Sequence, residues 1–109
     1  MASGLFKNGK TTVSDTGTTV YTVPSGKYAV IHAIYLCNTY GLEDLFVNIE
    51  VVASGGGSST NIAYMQPVGA NQYLVVDRPI NLQDGEALKI TGSRNDSIDA
   101  FASVLEFTP

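Results

Sequence analysis

The chain contains 109 residues, of which 15% are charged and 44% hydrophobic, and it carries a formal net charge of −4. This length fits one domain, which can bury a core without disulfides or metal ions. The six basic residues are scattered, and because phosphate binding requires a basic stripe, we predict no nucleic-acid partner. Sparse charge leaves apolar and neutral surface on a monomer, and such surface is often covered by neighbouring subunits.

The first seventeen residues contain little that can form a core. Leu5 and Phe6 are a short apolar pair, followed by Asn8-Gly9 and a run of Thr and Ser. We therefore predict an N-terminal arm over residues 1–17 and a β-sandwich domain over residues 18–109. Two alternatives remain for the arm: a frayed end, or a segment that docks Leu5 and Phe6 onto a neighbouring subunit.

The segment 18–38 indicates a strand, a tight turn and a second strand. Val20 to Val23 are β-formers, Pro24 fixes φ for a turn, and Gly26 accepts positive φ. A long apolar run then extends from 28 to 38. The pattern predicts a hairpin-like unit.

Short strands alternate with turn signals through the rest of the chain. Residues 44–53 alternate cleanly, which predicts a strand with one face in a core, and 54–60 form a Gly- and Ser-rich flexible loop. The final strand, 98–107, is apolar on both faces. Other strands are predicted at 61–66, 72–77, 80–82 and 86–92. About eight strands spaced in this way predict an all-β fold, an antiparallel β-sandwich of the jelly-roll or Ig-like type.

Cys37, the single cysteine, lies inside the apolar run of 28–38. It cannot form an intrachain disulfide, and its position predicts a buried small hydrophobic residue rather than a reactive thiol. The run is interrupted by His32 and is too short to span a bilayer, and the first residues lack a signal-peptide core. We therefore expect synthesis in a cytosol and no membrane partner.

The side-chain inventory argues against catalysis. His32 is the only histidine and lies within a predicted strand, where a structural or interface role is more common than general-base catalysis. Zinc requires several Cys or His ligands, and the chain offers one of each. The acids at 43–44 and 96–99 match no EF-hand, and Gly55 to Gly57 lack the lysine of a phosphate loop. We predict no enzyme activity, no metal and no cofactor.

The six tyrosines form the other group of candidate functional residues. Tyr rings suit wet interfaces because one end is apolar and the other polar. The absence of Trp disfavours sugar binding, so protein partners rank above glycans, and ordinary half-buried core positions rank above both. The candidate interface residues are Leu5, Phe6, Tyr40 and Tyr73.

Four short motifs carry a resemblance to a known group of proteins. They are Val20-Tyr-Thr-Val-Pro-Ser-Gly-Lys27, Ile31-x-x-Ile34-Tyr-Leu-Cys-Asn38, Asn81-Leu-Gln-Asp-Gly-Glu86 and Ala102-Ser-Val-Leu-Glu-Phe107. Together they resemble small β-sandwich structural proteins of tailed bacteriophages, over most of residues 18–107.

The resemblance implies a non-enzymatic, multimeric component of a virion that is made in the host cytoplasm. The function that the resemblance implies first is that of a capsid decoration or cement protein, which binds the capsid surface and stabilises it as a homo-oligomer, for example a trimer. The implied partners are further copies of the chain and the major capsid protein or other virion proteins. The alternatives are a tail, neck or fibre protein of the same phage type and, from another class, a carbohydrate-binding module for a host-surface glycan.

Overall fold

The computed structural model describes residues 3–108, and most of these residues lie in strands. No helix within them is long and apolar enough to cross a membrane. One short 3₁₀ turn occurs at Ser54–Gly56. The nine strands are β1 (Ser3–Thr12), β2 (Thr18–Thr22), β3 (Tyr28–Asn38), β4 (Leu45–Val52), β5 (Ser59–Val68), β6 (Tyr73–Val76), β7 (Ile80–Leu82), β8 (Ala87–Gly92) and β9 (Ile98–Thr108). The prediction of an all-β, antiparallel sandwich is confirmed.

The strands form two sheets with a nested order of pairing. Sheet A has the order β1-β9-β3-β6, with β7 also paired to β3, and sheet B has the order β2-β8-β4-β5. β6 and β7 pair with different parts of β3 and act as one interrupted strand. Counted in this way, the first strand pairs with the last, the second with the seventh, the third with the sixth and the fourth with the fifth. This order is the jelly roll, one of the two sandwich types expected.

The core lies between the inner faces of the two sheets. Its largest fully buried side chains come from both sheets and include Ile31, Ile34 and Leu36 from β3 and Leu88 and Ile90 from β8. Burying an aliphatic side chain of this size contributes roughly 1.5–3 kcal/mol, so the paired inner faces supply the main stabilising term.

The hairpin prediction for residues 18–38 is wrong. β2 pairs with β8 in sheet B, whereas β3 pairs with β9 in sheet A. The turn itself forms, since the Lys27 amide donates to the Pro24 carbonyl at 3.2 Å and Gly26 has a φ of 77°. The turn carries the chain from sheet B to sheet A. Val23 before the turn and Ala29 after it are both buried in the core, and each side chain is covered by the sheet opposite its own.

Residues 3–12 differ from the predicted separate arm, because they form β1 at the edge of sheet A. The strand pairs with β9 along its whole length, from Ser3 opposite Thr108 to Thr12 opposite Asp99. The inward positions of β1 include Gly9, where an added Cβ would overlap the Val20 carbonyl oxygen of β2. A glycine is required at this close approach of the two sheets, so β1 lacks the apolar alternation that marks a strand. Residues 1, 2 and 109 of the predicted arm and domain lie outside the described residues.

The edges of the sheets differ in regularity. β1 pairs with β9 without a register shift. β5, at the far edge of sheet B, has register shifts against β4, a positive φ of 53° at Met65, and a proline at Pro67. Prolines and irregularities of this kind blunt an edge strand.

We predict that Gly9→Ala loosens β1. The added methyl group must displace backbone at Val20, so the free energy of unfolding should fall by about 1–3 kcal/mol, and amide hydrogen exchange over residues 3–12 should accelerate. The matched control is Gly57→Ala, since no atom lies within 4 Å of the position that its added methyl group would occupy and its φ is −74°. Unchanged exchange over residues 3–12 in Gly9→Ala would contradict the close approach.

Candidate interaction surface

The outer face of sheet A carries a set of aromatic rings. Partners in an antiparallel pair point to the same side of a sheet, so the registers of β1, β9, β3 and β6 determine which side chains lie outside. We call this surface the aromatic face. Its six rings are Phe6, Tyr28, Tyr35, Tyr73, Phe101 and Phe107.

Five of the six rings of the aromatic face are exposed, Phe107 is half-buried, and four of the rings contact one another across strands. Phe6 and Tyr73 are each 75% exposed. Tyr28 stacks on Phe107, with ring centroids 5.3 Å apart, and Tyr35 meets Phe101 at 6.2 Å in a tilted arrangement. Cross-strand ring pairs of this kind restrict side-chain freedom, so the surface is presented in a fixed shape.

Charge is sparse on the aromatic face. Among the described residues, its register positions include one cation, Lys10 on β1, and one anion, Asp99 on β9. A shallow hollow of about 520 Å³ lies between these two residues and the rings of Tyr35, Tyr73 and Phe101. This half of the face is therefore concave, apolar and close to neutral.

The outer face of sheet B is different. Glu50 on β4 lies opposite Lys89 on β8, Asn48 lies opposite Thr91, and Thr19 on β2 also lies opposite Lys89. Such polar and charged pairs are typical of a sheet face that meets water. The outward side of β4 also carries Phe46, which is 41% exposed, and β5 carries Tyr64, which is 69% exposed. Sheet B therefore mixes polar and charged pairs with apolar side chains, whereas charge is sparse on the aromatic face.

The structure places the four candidate interface residues in three settings. Phe6 and Tyr73 both lie on the aromatic face, on strands at its two sides. Leu5 is opposite Glu106 in the register, on the inner side of sheet A, although it is 55% exposed. Tyr40 is half-buried against the core, with the Arg94 guanidinium 4.0 Å from its ring centroid. Their role in an interface stays a prediction.

The prediction that Cys37 is buried is wrong. It is exposed on the aromatic face, opposite Asp99 and Tyr73, because the alternation of β3 turns Leu36 and Asn38 inward. The run of 28–38 is apolar on both faces, and this hid the alternation. For the same reason, the sequence does not distinguish Tyr28 as an interface residue. A usable signal exists in the last strand, because its two apolar faces indicate that its outer side is covered by something other than the core.

His32 lies at a register shift in β3 and is exposed. Its ring lies 6.2 Å from that of Phe6.

Within residues 3–108, no group of three or more His, Cys, Asp or Glu side chains, including any that would contain His32, is placed to hold a metal ion. The position of His32 beside an aromatic ring on a sheet face fits a surface contact.

Two of the sequence motifs meet at a buried carboxylate. Glu106, only 4% exposed, accepts a hydrogen bond from the Tyr21 hydroxyl at 2.5 Å, and the Lys27 ammonium lies 3.8 Å from its other oxygen. Tyr21 belongs to sheet B and Glu106 to sheet A, so this contact ties the sheets together. Burial, and then the hydrogen bond and the charge of Glu106, raise the pKa of Tyr21 well above its ordinary value of 10.0.

Asn38, at the end of a third motif, is a second buried tie. Its side-chain amide donates to the carbonyls of Val68 and Glu43, at 3.0 and 3.2 Å, and its oxygen accepts from the Tyr40 amide at 2.8 Å. The fourth motif supplies Asp84, whose carboxylate accepts from the Gly26 amide. The motifs therefore hold strand ends and turns in place, which is a structural role.

We predict that Tyr21→Phe removes part of the alkaline sensitivity of the fold. Because the pKa of Tyr21 is raised in the folded state, the stability that this group contributes is present below about pH 10 and is lost as the pH rises further. Denaturant titrations at several pH values should show a shallower alkaline loss for Tyr21→Phe than for the parent chain. At neutral pH the variant should lose about 1–3 kcal/mol, because Glu106 loses a donor.

The matched control for this prediction is Tyr73→Phe. Tyr73 is 75% exposed, and its variant should keep both the neutral stability and the full alkaline slope. Equal slopes for Tyr21→Phe and the parent chain would contradict the role assigned to the contact between Tyr21 and Glu106.

No protein-family model matches the chain, and no curated protein matches it. Solved structures do. A chain in the acidic-stable capsid structure of Helicobacter pylori bacteriophage KHP30 is 11% identical, with a TM-score of 0.56 over 100% of this chain and 94% of that one. A chain from the disulfide-linked pili of Bacillus endospore appendages is 18% identical, with a TM-score of 0.55 over 98% and 88%.

A chain in the structure of infectious bursal disease virus, Gx strain, is 12% identical, with a TM-score of 0.58. The match covers 98% of this chain and 33% of that one. At these identities the likeness concerns the fold. The whole described chain therefore has a jelly-roll fold that also occurs in phage and viral capsid structures and in a pilus.

Proposed function

We propose that this chain is a non-enzymatic structural protein of a virion, and specifically a capsid decoration or cement protein of a tailed bacteriophage that binds the shell as an oligomer. The observation that carries the proposal is the likeness to the phage capsid chain, which extends over nearly the full length of both chains. The motif resemblance to structural proteins of tailed phages points in the same direction.

The physical character of the surface supports this role. A shell component must be rigid and must be covered in part by neighbours, while the remainder meets water. The buried ties at Glu106 and Asn38 stiffen the sandwich, and the nearly uncharged outer face of sheet A contrasts with the polar and charged pairs between β4 and β8 of sheet B. A lone soluble monomer gains nothing from the aromatic face, since exposed apolar patches favour association.

A second candidate, a subunit of an extracellular filament, is favoured by the likeness to the Bacillus pilus chain. That pilus is disulfide-linked. The present chain has a single cysteine, Cys37, which can form at most one intermolecular disulfide and so links two copies rather than a series. A filament of this chain would have to be held by non-covalent contacts, and we therefore rank the capsid role first.

Particle fractionation tests the proposal. Virus particles purified on a density gradient from cultures that produce this chain should contain it in a fixed ratio to the main shell protein, as measured by quantitative mass spectrometry. Electron cryomicroscopy should place it at repeated positions on the outside of the shell. Density confined to the tail, neck or fibre would favour the alternative virion position. A chain found only among unassembled proteins would contradict a virion role.

A further inference from the structure

We propose that the aromatic face is the surface through which two copies of this chain associate, sheet A against sheet A. This inference rests on the self-association that is part of the proposed function, and it adds the surface that carries it. The argument uses the area of the face, its charge and its rigidity.

The rings of the aromatic face supply about two-thirds of the area that a stable pair requires, and aliphatic side chains between them add to it. Five of its rings are between 38% exposed, for Phe101, and 75% exposed, for Phe6 and Tyr73. Since an aromatic side chain carries about 200 Å² of surface, these five rings expose on the order of 550 Å². A standard interface needs about 800 Å² from each partner. The half-buried Val30, Val75 and Leu105 lie between the rings and enlarge the apolar area.

The charge distribution favours a second copy as the occupant. Each chain has a net charge of −4, so two copies repel when their acidic surfaces approach. On the aromatic face, Lys10 and Asp99 balance each other, so a contact there brings no excess of like charge into the interface. A strongly basic or strongly acidic partner would find no complementary patch on this surface.

The geometry of the face also suits an isologous contact, in which each copy contributes the same surface. Four of its six rings are held by cross-strand contacts, at 5.3 Å for Tyr28 and Phe107 and 6.2 Å for Tyr35 and Phe101, on either side of the register shift at His32. The four paired rings have less side-chain freedom to lose on binding, and this preorganisation favours association. Two such faces packed together form an apolar layer like the one inside the sandwich.

Sedimentation velocity on charge variants tests the proposal. Tyr73→Glu places a charge within the proposed contact and should weaken self-association by about tenfold or more. Tyr64→Glu is the matched control, since Tyr64 is 69% exposed but lies on β5 of sheet B, and it should leave the association unchanged. Equal association of Tyr73→Glu and the parent chain, or selective loss in Tyr64→Glu, overturns the proposal.

The reactivity of Cys37 provides a second measurement that needs no variant. Cys37 is exposed in a single copy and lies on the aromatic face, so association should bury it. Its alkylation by iodoacetamide should slow by about tenfold or more as the concentration of the parent chain rises from about 1 µM to about 100 µM. An alkylation rate that is independent of concentration overturns the proposal. Protection that requires added capsid shells, a glycan or lipid vesicles assigns the face to that partner and also overturns it.

The two proposals fail in distinguishable ways. An oligomer that persists in Tyr73→Glu with Cys37 still reactive removes the aromatic face as the contact but leaves the virion role intact. Absence of the chain from purified particles, with association still sensitive to Tyr73→Glu, removes the virion role and leaves the contact intact.

Discussion

The antiparallel pairing of β3 with β9 is the constraint on which the rest of the structure depends. Both strands have eleven residues, and they run side by side through the centre of sheet A, from Tyr28 opposite Phe107 to Asn38 opposite Ile98. The inner side of this pair supplies much of the core, and its outer side supplies four of the six exposed or half-exposed rings. The pairing shifts register once, at His32, and a one-residue slip on either side of that shift would exchange the two faces, so the core and the aromatic face are fixed by the same strand pairing.

The predictions from sequence succeeded where a strand has one buried face. β4 alternates apolar and polar residues, and its predicted range of 44–53 closely matches Leu45–Val52. The predictions failed where a strand does not alternate apolar and polar residues, either because a close approach of the sheets requires a glycine or because both faces are apolar. β1 needs Gly9 for the approach to Val20, so its pattern does not look like a strand. The run of 28–38 is apolar on both sides, and Cys37 was consequently assigned to the wrong one.

Longer-range organisation was less accessible from the sequence for a related reason. A turn motif such as that at Pro24 determines where the chain bends, but whether the flanking strands pair depends on which sheet covers each apolar face. The same limit applies to the candidate surface. Phe6 and Tyr73 were selected separately, and only the registers of β1 with β9 and of β6 with β3 bring them onto one face.

The irregular edge of β5 has a consequence for how a sheet of this protein can grow. Among the described strands, β1 alone offers a long edge with an unbroken register. β5 is interrupted at Met65 and Pro67, β2 has five residues and a register shift, and β6 and β7 are short. Any strand-by-strand joining of two molecules is therefore restricted to one side of each. Joining of β1 to β1 terminates after a single pair, which disfavours cross-β polymerisation of the chain into fibres.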